Sequence, residues 1–166
     1  MTESKTHFLY PSTLFYSKEP YLINTILGSC VAVCLYDPVM KAGGINHYML
    51  PLWNGQGLAS PKYGNIAIEK LIEKLSSMGC RPANLVAKVF GGGEVIDTHI
   101  SQFNIGERNI QIAQQILKEK NIKIAGQSVG GRLGRKIQFN TQTGAVLQKM
   151  INKPIPENHK PEDGLR

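Results

Sequence analysis

The strongest constraint on the fold is the apolar stretch of residues 21–36, YLINTILGSCVAVCLY, which is interrupted only by the Gly-Ser-Cys sequence at positions 28–30. Short apolar runs that are rich in β-branched residues and bounded by turn residues are typical of buried strands. A glycine lets the backbone turn sharply, and Pro38 stops the second half of the run. We therefore predict two buried strands that join at Gly28 and leave Cys30 at their junction.

The other segments give short strands and two single helices. Residues 65–78 and 106–120 carry apolar side chains at helical spacing, and Gly79 ends the first of these helices. Strands are predicted at residues 45–50, 85–90 and 122–127, and a hairpin is predicted to pair residues 136–140 with 145–149. Because strands outnumber helices and the helices come singly, we predict an α+β fold in which packed β-sheets are covered by two main amphipathic helices.

Length and composition indicate one ordinary globular domain. A chain of 166 residues can bury a single core, and 42% hydrophobic with 19% charged residues is typical of globular proteins. We place the domain at residues 1–151 and expect residues 152–166, which contain several prolines, to form a disordered tail. Since the first residues lack the layout of a signal peptide and no long apolar run follows, we expect a cytoplasmic protein without membrane insertion.

Cysteine usage and charge narrow the classes of function. The three cysteines, Cys30, Cys34 and Cys80, lack the paired spacing of a zinc site, and the cytosol would keep them reduced. We expect neither a metal nor a cofactor. The net charge of +7 favours acidic partners, but the basic residues near the C-terminal end have no interleaved aromatic residues. Nucleic-acid binding is therefore not predicted.

Cys30 and a nearby histidine are the candidates for chemistry. A cysteine that follows Gly-Ser at the end of an apolar run can stand at the edge of a sheet, which suits a nucleophile. A thiol of pKa about 8.5 needs a neighbouring base, and pairing with a histidine is expected to raise its thiolate fraction. His47 is the nearest candidate, while His99 is an alternative that spacing leaves open. The competing interpretation makes Cys30 and Cys34 small buried hydrophobes of a strand.

Five motifs, in order along the chain, resemble one known family. They are LGSCVAVCLYD at 27–37, GGINHYMLP at 43–51, KVFGGG at 88–93, IGERN at 105–109, and GGRLGRKIQF with TGAV between 130 and 146. Together they are similar to the chemoreceptor glutamine deamidase family, CheD, over most of the chain between residues 22 and 147. The resemblance implies a single-domain cysteine-hydrolase fold.

The resemblance also implies an activity and its residues. A family member converts selected glutamines of methyl-accepting chemotaxis receptors to glutamates, which places the nucleophile at Cys30 and its base at His47. The family's threonine that orients the histidine matches Thr25, although Asn24 beside it stays open for this role. Association with a CheC-type phosphatase is implied as well, and it allows an alternative in which the chain is a non-catalytic binding module for receptors or that phosphatase.

Three further features are interpreted without a catalytic role. Residues 91–93, three glycines after a strand, are interpreted as a tight turn or a wall of the substrate groove. Arg132 and Arg135, in the glycine-rich segment that follows, are expected to be available to acidic substrate or partner surfaces. Arg108 and Asn109 begin a predicted helix, where capping or a surface pair explains them, and they receive no catalytic role.

Overall fold

The computed structural model of the chain describes residues 5–94 and 104–152. The strands are β1 (Lys5–Phe8), β2 (Leu14–Ser17), β3 (Tyr21–Leu27), β4 (Val31–Asp37), β5 (Ala42–Asn46), β6 (Val86–Gly91), β7 (Lys123–Val129), β8 (Gly134–Asn140) and β9 (Val146–Ile151). The helices are α1 (Gly64–Ser77) and α2 (Ile105–Glu119), with a 3₁₀ turn at Pro82–Asn84. In these two ranges no helix is long and apolar enough to cross a membrane.

The strands form two sheets, and both helices pack on one of them. The four-stranded sheet has the order β1-β3-β8-β9 and the five-stranded sheet the order β2-β5-β4-β6-β7. β6 and β7 run parallel and are joined by a crossover through α2, while β4 runs antiparallel to both of its neighbours. The helices cover the outer face of the five-stranded sheet, whose inner face packs against the other sheet. The predicted α+β class is therefore confirmed.

β4 is the central strand and is buried on both faces. Val31, Val33 and Leu35 belong to the core beneath the helices, whereas Ala32 and Cys34 belong to the core between the two sheets. A strand that is covered on both faces reads as a continuous apolar run rather than as an alternating one. The loop that enters β4 therefore lies where the two cores meet.

Most predicted elements are confirmed, with ends that differ by a few residues, but β5 differs more. It begins at Ala42 and contains Gly43 and Gly44, which the sequence had suggested only lead into a strand. A Cβ on Gly43 would lie 2.9 Å from the Phe139 ring, and one on Gly44 would lie 2.7 Å from the Leu71 side chain. These glycines are thus sites of close packing between layers.

Two strands were not predicted at all, and one prediction lies outside the described residues. β1 and β2 are four-residue strands at the edges of the two sheets, where they pair with β3 and β5. Strands this short carry little periodicity of their own. The predicted disordered tail lies outside the described residues from position 153 onward.

Candidate active site

The loop of residues 28–30 joins β3 to β4 and is held at each of its three carbonyl groups. The carbonyl oxygen of Gly28 accepts a 2.9 Å hydrogen bond from the backbone N–H of Gly93. That of Cys30 accepts one of the same length from the N–H of Gly92. The carbonyl oxygen of Ser29, between them, accepts a 3.0 Å hydrogen bond from Nδ2 of Asn109. Donors from two other elements therefore fix the backbone that carries the candidate nucleophile.

The glycines after β6 are required for this arrangement. Gly91 and Gly92 have φ angles of 109° and 71°, which side chains rarely adopt. A Cβ on Gly91 would collide with the carbonyl oxygen of Cys30, and one on Gly92 would collide with Ile110. These glycines were interpreted as a tight turn or a wall of the substrate groove, and what they do in the structure is let the backbone approach and support the Cys30 loop.

An antiparallel bridge brings His47 beside this loop. The N–H of Val31 donates to the Tyr48 carbonyl at 3.1 Å, and the N–H of Tyr48 donates back to the Val31 carbonyl at 3.0 Å. Cys30 and His47 each precede one member of that bridge, so they occupy diagonal positions on the same face. Diagonal neighbours in antiparallel pairs are about 7–8 Å apart at Cα, within reach of long or aromatic side chains.

β5 ends immediately before His47 because a side chain replaces the next backbone partner. Oδ1 of Asn46 accepts a 2.8 Å hydrogen bond from the N–H of Val33. His47 itself bonds to the preceding turn: its N–H donates to Thr13 at 3.2 Å, and its carbonyl accepts from Ser12 at 2.8 Å. The strand predicted at residues 45–50 is therefore wrong beyond Asn46, and His47 leaves the regular ladder.

Thr25 is hydrogen-bonded to the ring of His47. Both residues are buried, and Thr25 Oγ1 lies 2.7 Å from His47 Nδ1 and 2.8 Å from the Leu9 carbonyl oxygen. A hydroxyl has one proton, and a carbonyl can only accept, so Thr25 donates to Leu9 and accepts from Nδ1–H of His47. This leaves Nε2 of His47 unprotonated, with a lone pair available to take a proton.

Asn24, the alternative to Thr25, has a different hydrogen-bond partner. Asn24 is only partly buried, and its Oδ1 accepts a 3.1 Å hydrogen bond from Nε2 of Gln138. Of Asn24 and Thr25, it is Thr25 that contacts His47. His99 lies outside the described residues.

The ionisation of the pair differs from the expected one. Burial raises the pKa of the Cys30 thiol to about 12, and a hydrogen bond from the backbone N–H of Cys30 itself offsets a smaller part of that rise. Burial also lowers the pKa of His47 to about 4. At neutral pH the resting pair is a thiol and a neutral imidazole, so the expectation of a raised thiolate fraction is wrong. A nucleophilic reaction of this thiol would therefore need a base to take its proton.

Exposure separates the three cysteines. Cys34 and Cys80 are buried, with 1% of each surface exposed, whereas Cys30 is partly exposed. Cys30 also precedes β4, so the interpretation of it as a small buried hydrophobe of a strand is wrong, although that interpretation does hold for Cys34. In residues 5–94 and 104–152, neither the thiols nor other His, Cys, Asp or Glu side chains form a group of three that could hold a metal ion.

Asn109, which the sequence had suggested is a capping or surface residue, is fully buried in α2. Its Nδ2 donates to the Ser29 carbonyl and to the Met49 carbonyl, both at 3.0 Å. The backbone carbonyl of Asn109 accepts a 2.6 Å hydrogen bond from the Tyr48 hydroxyl. One residue of α2 is thus bonded to both segments of the candidate site.

The sequence did carry a signal for the burial of Asn109. It stands at positions i, i+3, i+4 and i+7 with Ile112, Ala113 and Ile116, which are all on the buried face of α2. A polar residue on such a face requires partners inside the protein. That position, rather than its place near the start of the helix, indicates its role.

Arg135 is likewise not where it was expected. Only 3% of its surface is exposed, and its guanidinium donates to Ser128 Oγ at 3.1 Å and to the Gly130 carbonyl at 2.8 Å. A longer bond of 3.4 Å reaches the Gly91 carbonyl. Arg135 is therefore a structural support of the glycine turns and is not available to a partner, whereas Arg132 is exposed.

Three exposed apolar side chains lie close in sequence to the segments of the candidate site. Tyr10, Met49 and Leu52 have 50%, 38% and 53% of their surfaces exposed. Tyr10 precedes the turn that bonds to His47, and the other two follow His47 along the chain. We call these three residues the apolar rim.

Comparison with known proteins gives consistent matches. A family model described as "CheD chemotactic sensory transduction" matches residues 49–150. A protein of Sulfurimonas denitrificans named "Probable chemoreceptor glutamine deamidase CheD" is 49% identical over 152 residues, which are 91% of this chain and 97% of that protein. A protein of Trichlorobacter lovleyi with the same name is 51% identical over 143 residues, covering 86% of this chain and 89% of that protein. The matched family is the one that the five sequence motifs indicate.

Proposed function

The chain belongs to the CheD family of chemotactic sensory transduction, and on that basis we propose that it is an enzyme that hydrolyses glutamine side-chain amides of chemoreceptors to glutamates. Cys30 is the nucleophile, His47 the general base and acid, and Thr25 the residue that orients His47. The observation that carries this proposal is the hydrogen bond between Thr25 and Nδ1 of His47, which leaves Nε2 unprotonated in a residue placed diagonally from Cys30 across an antiparallel bridge.

Acylation begins from the neutral pair. Nε2 of His47 takes the thiol proton as Cys30 Sγ forms a bond to the carboxamide carbon, and the electron pair of the C=O bond moves onto oxygen. When this intermediate collapses, the C–N bond breaks and His47 returns its proton to the leaving nitrogen. Ammonia departs, and a thioester remains on Cys30.

Deacylation uses the same residues in reverse. His47 takes a proton from water as the water oxygen bonds to the thioester carbon. The C–S bond then breaks, the sulfur regains the proton, and the product is a glutamate side chain. Thr25 holds Nδ1–H throughout, so the imidazolium that forms in each half keeps its orientation.

A protein substrate fits the surroundings of the site better than free glutamine does. The apolar rim offers contact area beyond that needed for a carboxamide, and exposed apolar patches often mark protein contacts. The net charge of +7 attracts acidic surfaces over a distance. We propose receptor helices in the cytoplasm as the substrate and a CheC-type phosphatase as a second partner.

Mass spectrometry of a purified receptor fragment, before and after incubation with the protein, tests the activity directly. We expect selected glutamines to be converted to glutamates and free glutamine to be untouched. His47→Asn should lower turnover by several orders of magnitude, whereas His99→Ala should change it little. A receptor fragment that the protein binds but never deamidates would favour the alternative, a non-catalytic binding module.

A further inference from the structure

The peptide unit between Ser29 and Cys30 is held from one side. Its carbonyl oxygen accepts a hydrogen bond from Nδ2 of Asn109 at 3.0 Å. The unit is trans, as are the other described peptide bonds, and a trans peptide is planar, with N–H and C=O pointing in opposite directions. By holding the carbonyl towards α2, Asn109 turns the N–H of Cys30 to the opposite side.

That N–H is available beside the reacting sulfur. It lies next to the thiol and favours the charged form of the sulfur, and within the described ranges no backbone carbonyl accepts a hydrogen bond from it. A donor next to the nucleophile is well placed for the oxygen that becomes negative when the sulfur attacks a carboxamide. The carbonyls of Gly28 and Cys30, on either side of this peptide unit, accept hydrogen bonds from the N–H groups of Gly93 and Gly92. The loop therefore has little freedom to rotate the peptide unit.

We propose that Asn109 is a positioning residue for deamidation, which fixes the Ser29–Cys30 peptide so that the Cys30 N–H donates to the developing oxyanion. This inference rests on the proposed function. Because the same amide also donates to the Met49 carbonyl, it sets the nucleophile loop against the segment that carries His47.

The chemistry of the side chain explains why asparagine stands here. A carboxamide NH₂ has two protons, and each one meets a carbonyl oxygen, of Ser29 and of Met49. Aspartate and leucine have a similar shape but no such donors. Within the described part of the chain, Oδ1 of Asn109 accepts no hydrogen bond, so the two donated bonds alone orient the amide.

Steady-state kinetics of Asn109→Ala on a receptor fragment test the proposal. We expect kcat to fall on the order of 10²-fold with KM nearly unchanged, because an oxyanion donor acts in the transition state. Alkylation of Cys30 by iodoacetamide develops no oxyanion, so its rate should stay within about threefold of the wild type. Tyr48→Phe is the matched control, since it removes the 2.6 Å bond to the Asn109 carbonyl and leaves the Ser29 carbonyl held. We expect it to lower the melting temperature while preserving kcat.

Wild-type kcat in Asn109→Ala would overturn the inference. So would equal losses of turnover and of Cys30 alkylation, because they indicate a general collapse of the site. If Asn109→Ala does not fold, NMR of the wild type with a peptide aldehyde that adds to Cys30 decides the matter: the Cys30 amide proton should shift downfield, and an unmoved resonance would refute the role. Activity in a folded Cys30→Ala variant would instead refute the proposed function.

Discussion

Replacing Thr25 with valine isolates the contribution of one hydroxyl to the site. Valine fills nearly the same volume, so the core between the sheets is preserved. The two hydrogen bonds of the hydroxyl, 2.8 Å to the Leu9 carbonyl and 2.7 Å to Nδ1 of His47, are lost together. Thr25 is fully buried, so water does not readily take the place of the hydroxyl.

The expected loss of activity follows from that burial. A buried donor left without a partner costs about 1–3 kcal/mol, and Nδ1–H of His47 is such a donor in the variant. The cost is largest when His47 carries the thiol proton, because the imidazolium must keep Nδ1–H. Since about 1.4 kcal/mol corresponds to a tenfold change in rate, kcat should fall about 5- to 150-fold, with KM little affected.

The assay is the rate of deamidation of a receptor fragment by mass spectrometry at several fragment concentrations. Thr25→Ser is the matched control: it keeps the hydroxyl, and we expect it to recover most of kcat. Wild-type kcat in a folded Thr25→Val variant would refute the role of Thr25. Equal losses in the valine and serine variants would show that packing, not the hydroxyl, matters at this position.

Three further measurements probe ionisation, access and charge. Because burial lowers the pKa of His47 from 6.5 to about 4, the unfolded chain binds the proton first on acidification. The free energy of unfolding should therefore keep its full value above about pH 6.5 and fall by about 3 kcal/mol towards pH 4. The same dependence of the unfolding free energy on pH in His47→Gln would contradict this. Iodoacetamide should label Cys30 before Cys34 and Cys80 because Cys30 is partly exposed, and its rate should keep rising above pH 9 because its pKa is raised to about 12. A plateau near pH 9 would contradict the raised pKa. Salt should lower kcat/KM on receptor with little effect on kcat, since the Debye length shrinks from about 10 Å at 0.1 M to about 3 Å at 1 M. Arg132→Glu should imitate that effect without salt, and a salt-independent kcat/KM would remove the proposed attraction.

The elements that the sequence predicted well are those whose own pattern decides their structure. The two helices have long apolar faces, and β4 is a continuous apolar run, because each is covered by the core. By contrast, β1 and β2 are short edge strands that depend on partners elsewhere in the chain. The glycines of β5 were expected only to lead into a strand, and the layers packed against them explain why they lie within it.

In the candidate site, too, some features could be predicted from the sequence and others could not. The motifs indicated Cys30 and His47, and the alternation of buried residues in β3, with Ile23, Thr25 and Leu27 facing inward, explains why Thr25 rather than Asn24 reaches the histidine. The pKa of the cysteine depends on burial by residues far apart in sequence, so a local pattern could not predict it.

The most direct test of the account compares Cys30→Ala with Cys34→Ala in the deamidation of a receptor fragment, measured by mass spectrometry. Cys34 is the matched control because it is buried between the sheets and has no place in the proposed reaction. We predict that Cys30→Ala folds and converts no glutamine, while Cys34→Ala keeps the wild-type sites and most of the rate. Deamidation at the wild-type rate by a folded Cys30→Ala variant would contradict the thioester mechanism.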